Sequence, residues 1–267
     1  MSQGIEDGYL AACEILRRDI FLDQKAYNEQ RTGVERADLA DKTLRHAITG
    51  QLLGTAAARE RYEATSFEDR LLMPERVTAM ACDLFDQLLA TGGPEQKTII
   101  FCARDRHADA VAIAMNNLYA GWCAQQGQLL REPYAFKCTA SVGGAQYLAD
   151  LRGASRSHYI ATTVDLLTTG VDVPCVRNIV FFKYVRSPIA FYQMIGRGTR
   201  LDIATGKLMF RVYDYTDATR LFGQQFIAKF TPPKRDPVID PGPEGDDHQP
   251  PSEPTIVVEG FAVHITE

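Results

Sequence analysis

The chain has 267 residues, 45% of them hydrophobic, which is enough for one large domain with a core. It has no apolar run of membrane-spanning length and no opening signal peptide, so we expect a cytoplasmic protein with no membrane partner. The net charge of −5 argues against a strongly basic nucleic-acid-binding protein, although residues 231–267 carry −6 and leave residues 1–230 at +1, a body that can still present a basic groove.

The first 74 residues lack the regular pattern of the rest of the chain. Residues 9–23 have the composition of a strand, whereas residues 24–62 are polar and contain scattered glycines. Residues 66–90 then have helical spacing. We therefore predict that residues 1–74 form an irregular and β-structured extension or insertion packed on the core.

Residues 75–230 alternate between strand-like and helix-like segments. The predicted strands are 97–103, 134–140, 158–164, 176–183 and 207–215. The predicted helices between them are 106–120, 145–152 and 188–196. Short apolar strands separated by helices predict an α/β domain with a parallel sheet that is covered by helices on both faces. Ligands of such sheets are usually bound at the carboxyl ends of the strands.

The last segment has a different composition. Residues 231–254 contain eight of the thirteen prolines and several acidic residues, which predicts an acidic, proline-rich linker or surface strap. Residues 255–267 are rich in β-branched and aromatic residues, which predicts one or two further strands.

The six cysteines are scattered, and none forms a Cys-x-x-Cys pair. Most have apolar neighbours in the sequence. This pattern predicts buried free thiols in a reducing compartment, and it predicts neither disulfides nor a metal site.

The stretch FYQMIGRGTRLD (191–202) sets two arginines among glycines. If residues 188–200 are a helix, or a helix that runs into a turn, then Gln193, Gly196, Arg197 and Arg200 have the spacing of one helical face. Each glycine weakens a helix by about 1 kcal/mol relative to alanine, but it allows close backbone approach. Two arginines this close suit a polyphosphate anion. The alternative is a solvated basic turn, and spacing alone favours it.

Three stretches together resemble superfamily 2 helicases and translocases. QMIGRGTR resembles their motif VI, IATTVDLLTTGVDVP (160–174) their motif V, and KTIIFCARDRHADAV (97–111) their motif IV. The three occur in the family's order and at suitable spacing. The resemblance implies that residues 75–230 are the second RecA-like domain of such a motor.

A more specific resemblance covers most of residues 5–230. The segment from Thr162 to Leu201, together with IEDGYLAACEILRRDIFLD (5–23) and VYDYTDATRLF (212–222), is similar to the motor (R) subunit of type I restriction-modification enzymes. The resemblance implies ATP-driven translocation of duplex DNA by an ATP-dependent, site-specific deoxyribonuclease.

The resemblance assigns roles residue by residue. Arg200 takes the position of an arginine finger that stabilises charge on the γ-phosphate of ATP, and Arg197 would reach the phosphates or brace it. The implied ATP-binding positions are Gln193, Gly196, Gly170 and Asp172. The implied contacts to the DNA backbone are Thr162, Thr163, Arg104 and Arg106.

Each assignment has a structural alternative. Asp172 could cap a turn before Pro174. Thr162 and Thr163 could be ordinary β-branched strand residues. Arg104 and Arg106 could belong to the solvated start of a helix.

Two parts of an ATPase are missing from the sequence. It contains no Gly-x-x-x-x-Gly-Lys-[Ser/Thr] motif, and no Asp-Glu pair that would bind magnesium. ATGKL (204–208) contains Gly-Lys but reads as a hairpin turn before the last strand. We therefore expect half of a motor that is inactive alone. ATP and Mg²⁺ would be bound mainly by a first RecA-like domain, and the partners would be that domain, double-stranded DNA, and the methyltransferase and specificity subunits.

Other functions stay open. The chain could belong to another superfamily 2 DNA or RNA helicase, because motifs V and VI do not reveal the substrate. It could also be a nucleotide-independent scaffold module, although Arg197 and Arg200 disfavour that. A dinucleotide-binding domain is rejected, because Gly-x-Gly at 196–198 follows a helix and lacks the third glycine.

Overall fold

A computed structural model describes most of the body of the chain. The described residues are 11–20, 33–54, 59–139, 147–153, 157–164, 173–222 and 263–266. The predicted linker at 231–254 lies outside them, as do the ends of several predicted elements.

The described strands pair mainly into one parallel sheet. In chain order they are β1 (Ala12–Arg17), β2 (Gly33–Glu35), β3 (Arg45–His46), β4 (Arg61–Glu63), β5 (Leu71–Leu72), β6 (Thr98–Phe101), β7 (Ala135–Lys137), β8 (Ile160–Thr163), β9 (Asn178–Phe181), β10 (Met209–Asp214) and β11 (Val263–Thr266). Seven of these described strands form the sheet in the order β11-β1-β10-β9-β6-β8-β7, and every neighbouring pair is parallel. The predicted parallel sheet is confirmed.

Helices connect the strands. The described α-helices are α1 (Pro74–Thr91), α2 (Asp105–Gln126), α3 (Leu148–Gly153) and α4 (Pro188–Ile195). The predicted helix at 66–90 is wrong at its start, because β5 precedes it and Pro74 occupies the first helical turn, where its missing N–H costs nothing.

Alternate residues of the strands point into two separate cores. Ile99 and Ile179 pack with α3 and α4 on one face of the sheet. Ile100 and Val180 pack with α1 and α2 on the other face. This alternation follows from the two-residue period of a strand, and it explains why the strands read as continuous apolar runs.

The described residues 33–54 and 59–73 form a small unit of their own, called below the unit formed by residues 33–73. It contains two antiparallel pairs, β2 with β4 and β3 with β5. Its core includes Val34, Leu39, Leu71 and Met73. These pairs lie within residues 1–74, which the sequence predicts to be an irregular and β-structured extension, whereas β1 from the same stretch is a strand of the main sheet.

A buried ion pair joins this unit to α1. Arg76 Nη1 lies 2.8 Å from Glu68 Oε2, and the two side chains are 0% and 1% exposed. The Arg76 guanidinium also lies over the Phe67 ring, 5.2 Å from its centroid. Because neither charge reaches water, each depends on the other for compensation.

The six cysteines are free, and all are buried except Cys82, which is half-buried. The predicted buried thiols are therefore confirmed for five of the six positions. Within the described part of the chain, no helix combines the length and the hydropathy needed to cross a membrane.

Candidate functional site

The helix α4 presents the glycine-arginine stretch. Ser187 caps its start, since its hydroxyl accepts a hydrogen bond from the N–H of Ala190 at 3.3 Å, and Pro188 follows as the first helical residue. A serine followed by a proline is typical of the start of a helix. Phe191 and Ile195 pack onto the sheet, while Gln193 faces solvent. These buried residues hold α4 against the sheet, and so they set the place at which the chain leaves the helix.

The helix ends at Ile195 and the chain continues as a turn. Of the two predicted forms of residues 188–200, the structure therefore has the helix that runs into a turn. The N–H of Arg197 bonds to Met194 O at 3.2 Å and the N–H of Gly198 to Ile195 O at 2.9 Å. Arg200 therefore lies beyond the helix, and the argument from one helical face does not extend to it. We call residues 196–202 the arginine loop.

Gly198 is required by close packing. A Cβ atom at this position would lie 2.3 Å from Cδ2 of Phe210, a core residue of β10. Glycine therefore provides the close approach that the sequence predicts, but the approach is to an aromatic ring of the core. The contact holds the loop against the sheet.

The arginine loop lies at the amino edge of the sheet. Thr199 O accepts a hydrogen bond from the N–H of Ala11, the residue before β1, at 2.7 Å. Arg200 and Gly196 are exposed there, and Arg197 is half-buried. The predicted phosphate-binding arginines therefore do not lie at the carboxyl ends of the strands, where the general rule for open sheets would put a ligand.

A residue that the sequence analysis passed over fixes this loop. Residues 202–207 form the predicted tight turn, closed by two backbone hydrogen bonds between Asp202 and Lys207, with Gly206 in the left-handed region at φ 68°. Lys207 is fully buried. Its Nζ donates to Pro174 O at 2.8 Å, to Gly198 O at 2.8 Å and to Arg200 O at 2.7 Å.

Two predicted nucleotide contacts are not described. Gly170 and Asp172 lie outside the described residues, which resume at Val173. The carbonyl of Pro174 is nevertheless bound to Lys207, so the end of the 160–174 stretch is tied to the arginine loop.

The two threonines predicted to contact DNA are buried at the end of β8. Thr162 and Thr163 are 0% and 1% exposed. The Thr162 hydroxyl donates to Ala108 O of α2 at 3.0 Å. This favours the alternative that both are β-branched strand residues, because neither side chain reaches the surface.

Arg104 and Arg106 lie at the opposite edge from the arginine loop, after the carboxyl end of β6. Both are exposed. Arg104 Nη2 lies 2.7 Å from Asp69 Oδ1, and Arg106 Nε donates to Ile48 O at 2.7 Å. Both arginines therefore bind the unit formed by residues 33–73.

The chemistry available at the arginine loop is electrostatic. Burial raises the pKa of Cys175, the thiol that follows Pro174, so it stays protonated and is a poor nucleophile. No group of three His, Cys, Asp or Glu residues in the described ranges could hold a metal ion. The loop offers guanidiniums that suit phosphate oxygens.

Comparisons with known proteins show similarity to helicase domains and to subunits of type I restriction enzymes. Residues 80–202 match the family described as the helicase conserved C-terminal domain. The chain is 30% identical over 227 residues to the Type I restriction enzyme EcoAI endonuclease subunit of Escherichia coli, covering 84% of this chain and 25% of that protein. It is 36% identical over 160 residues to the EcoKI endonuclease subunit of E. coli K12, covering 58% of this chain and 13% of that protein.

A solved structure supports the same relationship. A fragment described as an HsdR subunit of a type I restriction enzyme from Vibrio vulnificus is 30% identical, with a TM-score of 0.58. The match covers 83% of this chain and 35% of that one. This chain therefore spans about a quarter of the EcoAI subunit and a third of the solved fragment.

Proposed function

We propose that this chain, which carries a helicase conserved C-terminal domain and is homologous to the endonuclease subunits of type I restriction enzymes, supplies the arginine finger of an ATP-driven DNA motor. Its fold is RecA-like: a parallel sheet with helices on both faces, as in helicase C-terminal domains. Residues 75–230 would be the second of two such domains.

The observation that carries the proposal is the presentation of Arg200. Its side chain is exposed, while the backbone on both sides is held by hydrogen bonds from Ala11 and Lys207. A fixed backbone means that the motion of the loop need not be frozen when the guanidinium is aimed at a phosphate oxygen. Arg197, three residues earlier and half-buried, would brace it or reach a second oxygen.

In the proposed reaction, ATP and Mg²⁺ are bound mainly by a separate phosphate-binding domain. Arg200 would stabilise negative charge that develops on the γ-phosphoryl group, which is how such fingers act. Gln193 near the end of α4 and Gly196 at the start of the arginine loop are exposed and would contribute to the nucleotide contact. Gly170 and Asp172 would line the same cleft. The isolated chain is then expected to be inactive.

We further propose that opening and closing of this cleft moves duplex DNA. Arg104 and Arg106 are exposed at the far edge of the sheet and could still approach the DNA backbone, whereas Thr162 and Thr163 are buried. Methyltransferase and specificity subunits would bind other parts of the polypeptide. We expect the assembly to act in the cytoplasm.

The test is DNA-stimulated ATP hydrolysis by the full-length polypeptide that contains this chain and a phosphate-binding domain. Arg200→Ala should lower kcat by about 10³–10⁵, the range for arginine fingers, with little change in nucleotide affinity. Arg59→Ala removes another exposed arginine, in the unit formed by residues 33–73, and should leave kcat unchanged. The isolated chain serves as a blank.

Two results would contradict the proposal. Unchanged turnover in Arg200→Ala would assign the loop a structural role and favour a scaffold module. Hydrolysis by the isolated chain would mean that it contains a phosphate site of its own.

A further inference from the structure

Two lysines at the amino edge of the sheet are buried in the same manner. Lys207 precedes β10 and donates to three carbonyl oxygens at 2.7–2.8 Å. Lys97 precedes β6 and donates to Asp150 O, Ser157 O and His158 O at 3.2–3.3 Å. An ammonium group has three protons, so each lysine can satisfy all of its donors with three carbonyls.

The two lysines differ in what they hold. The carbonyls around Lys97 belong to Asp150 in α3 and to Ser157 and His158 just before β8. Those around Lys207 come from two separate segments, Pro174 on one side and Gly198 with Arg200 on the other. Lys207 therefore joins the end of the 160–174 stretch to the loop that carries Arg200.

We propose that Lys207 is a positioning residue for Arg200. By binding the carbonyls of Gly198 and Arg200, it fixes the backbone on both sides of Thr199 and sets the direction in which the Arg200 side chain leaves the loop. This inference rests on the proposed role of Arg200 as the arginine finger. It gives Lys207 no contact with the nucleotide.

The other contacts of the loop make this role specific. Gly198 is pressed against Phe210, and Thr199 O is bound by Ala11, so the loop stays attached to the sheet without Lys207. The carbonyl of Arg200, in contrast, receives one of the three Lys207 hydrogen bonds. Removing the ammonium group should therefore reorient Arg200 more than it unfolds the domain.

Lys207 also links two groups of proposed nucleotide contacts. Pro174 follows Asp172 by two residues in the sequence, and its carbonyl shares the Lys207 ammonium with Arg200. A lysine suits this task because charge-assisted hydrogen bonds to carbonyls are stronger than neutral ones.

The experiment compares Lys207→Met with Lys97→Met in the full-length polypeptide, measuring kcat, the KM for ATP and Tm. Each change removes an ammonium group and leaves three carbonyls without it. Because misplacing a catalytic group by about 1 Å can cost on the order of 10²-fold, we expect Lys207→Met to lower kcat about 10–100-fold with little change in KM. Lys97→Met should lower Tm comparably and leave kcat within about twofold.

A double variant separates positioning from a general loss of structure. Lys207→Met combined with Arg200→Ala should have the same kcat as Arg200→Ala alone. Once the Arg200 side chain has been removed, the loss of Lys207 can no longer misplace it, so kcat falls no further. If the losses of kcat in the two single variants multiplied in the double variant, the inference would be overturned. A normal kcat in Lys207→Met, together with a strong defect in Arg200→Ala, would also overturn it and leave the proposed function intact. If Arg200→Ala had no effect, the proposed function itself would fail.

Lys207→Gln extends the test if the methionine variant does not fold. It keeps a donor of shorter reach, so we expect an intermediate kcat at a Tm close to that of the wild type. A wild-type kcat in this variant would contradict the positioning role.

Discussion

Two arginine pairs lie at opposite edges of the same sheet and are held in different ways. Arg104 and Arg106 are engaged through their side chains, by Asp69 and by the carbonyl of Ile48. Arg200 is engaged through its backbone, by Lys207, and its side chain is exposed. The comparison teaches that guanidiniums bound to a neighbouring unit attach that unit to the sheet, whereas a bound backbone carbonyl fixes the point from which an exposed arginine side chain starts.

The largest stability effect should come from the buried ion pair behind the carboxyl-edge arginines. Glu68→Gln would leave the charge of Arg76 buried without its partner, which costs about 3–5 kcal/mol. Urea unfolding followed by fluorescence would measure the loss. Replacing both residues by apolar ones, in Glu68→Leu/Arg76→Met, should recover much of it. A single variant as stable as the wild type would show that the pair does not attach the unit formed by residues 33–73.

At the amino edge, Gly198→Ala should be nearly as damaging. Its Cβ would lie 2.3 Å from the Phe210 ring, and overpacking of a core contact costs about 1–3 kcal/mol. The free energy of unfolding would be measured against Gly121→Ala, because a Cβ at Gly121 meets no atom within 4 Å. Equal stabilities for the two variants would mean that the loop moves away from Phe210 easily.

Acid should weaken the carboxyl edge through His107. Burial first, and then the charges of Arg76 and Lys183, lower the pKa of His107 to about 3 from a usual value of 6.5. The folded protein keeps this imidazole neutral, whereas the unfolded chain takes up a proton below pH 6.5. The stability that this neutral imidazole contributes to the folded protein is therefore fully present above pH 6.5 and is lost progressively as the pH falls toward 3.

At pH 5 the linkage amounts to about 2 kcal/mol. Chemical unfolding at pH 7 and pH 5 would measure it, with His107→Gln as the variant that lacks the titrating group. The free energy of unfolding should decrease less between pH 7 and pH 5 in this variant than in the wild type. The same decrease in both proteins would assign the acid sensitivity to other groups.

The smallest effect should come from Arg104→Ala. The ion pair with Asp69 is partly exposed, with side-chain exposures of 44% and 32%, and such pairs contribute about 0.2–1 kcal/mol. Thermal unfolding at low and high salt should show a small loss that salt reduces. A loss larger than that of Gly198→Ala would reverse the order proposed for the two edges.

Much of the fold could be predicted because its signals are local. The apolar runs that became β6, β8 and β9 are buried on both faces of a parallel sheet, and Ser187 with Pro188 marked the start of α4. The start of α1 was mispredicted because the apolar residues of β5 continue the helical spacing, although Pro74 was the available signal for the first helical turn.

The site was less predictable because its important contacts are not local. Lys207 was passed over because Gly206-Lys207 was compared with a phosphate-binding motif, while its three carbonyl partners lie 7 to 33 residues away. The available signal was a lysine at the start of the predicted strand 207–215, where a buried charged side chain must find partners. Thr162 and Thr163 show the converse: the motif indicated a surface contact, and the β-branched pattern of a buried strand was the better guide.

The most direct test of the difference between the two arginine pairs compares Arg200→Ala with Arg104→Ala in one assay. ATP hydrolysis by the full-length polypeptide would be measured over a range of duplex DNA concentrations. We predict that Arg200→Ala lowers kcat by about 10³-fold or more without changing the DNA concentration at half-maximal rate, and that Arg104→Ala leaves kcat unchanged. Equal kcat values in the two variants would contradict the account.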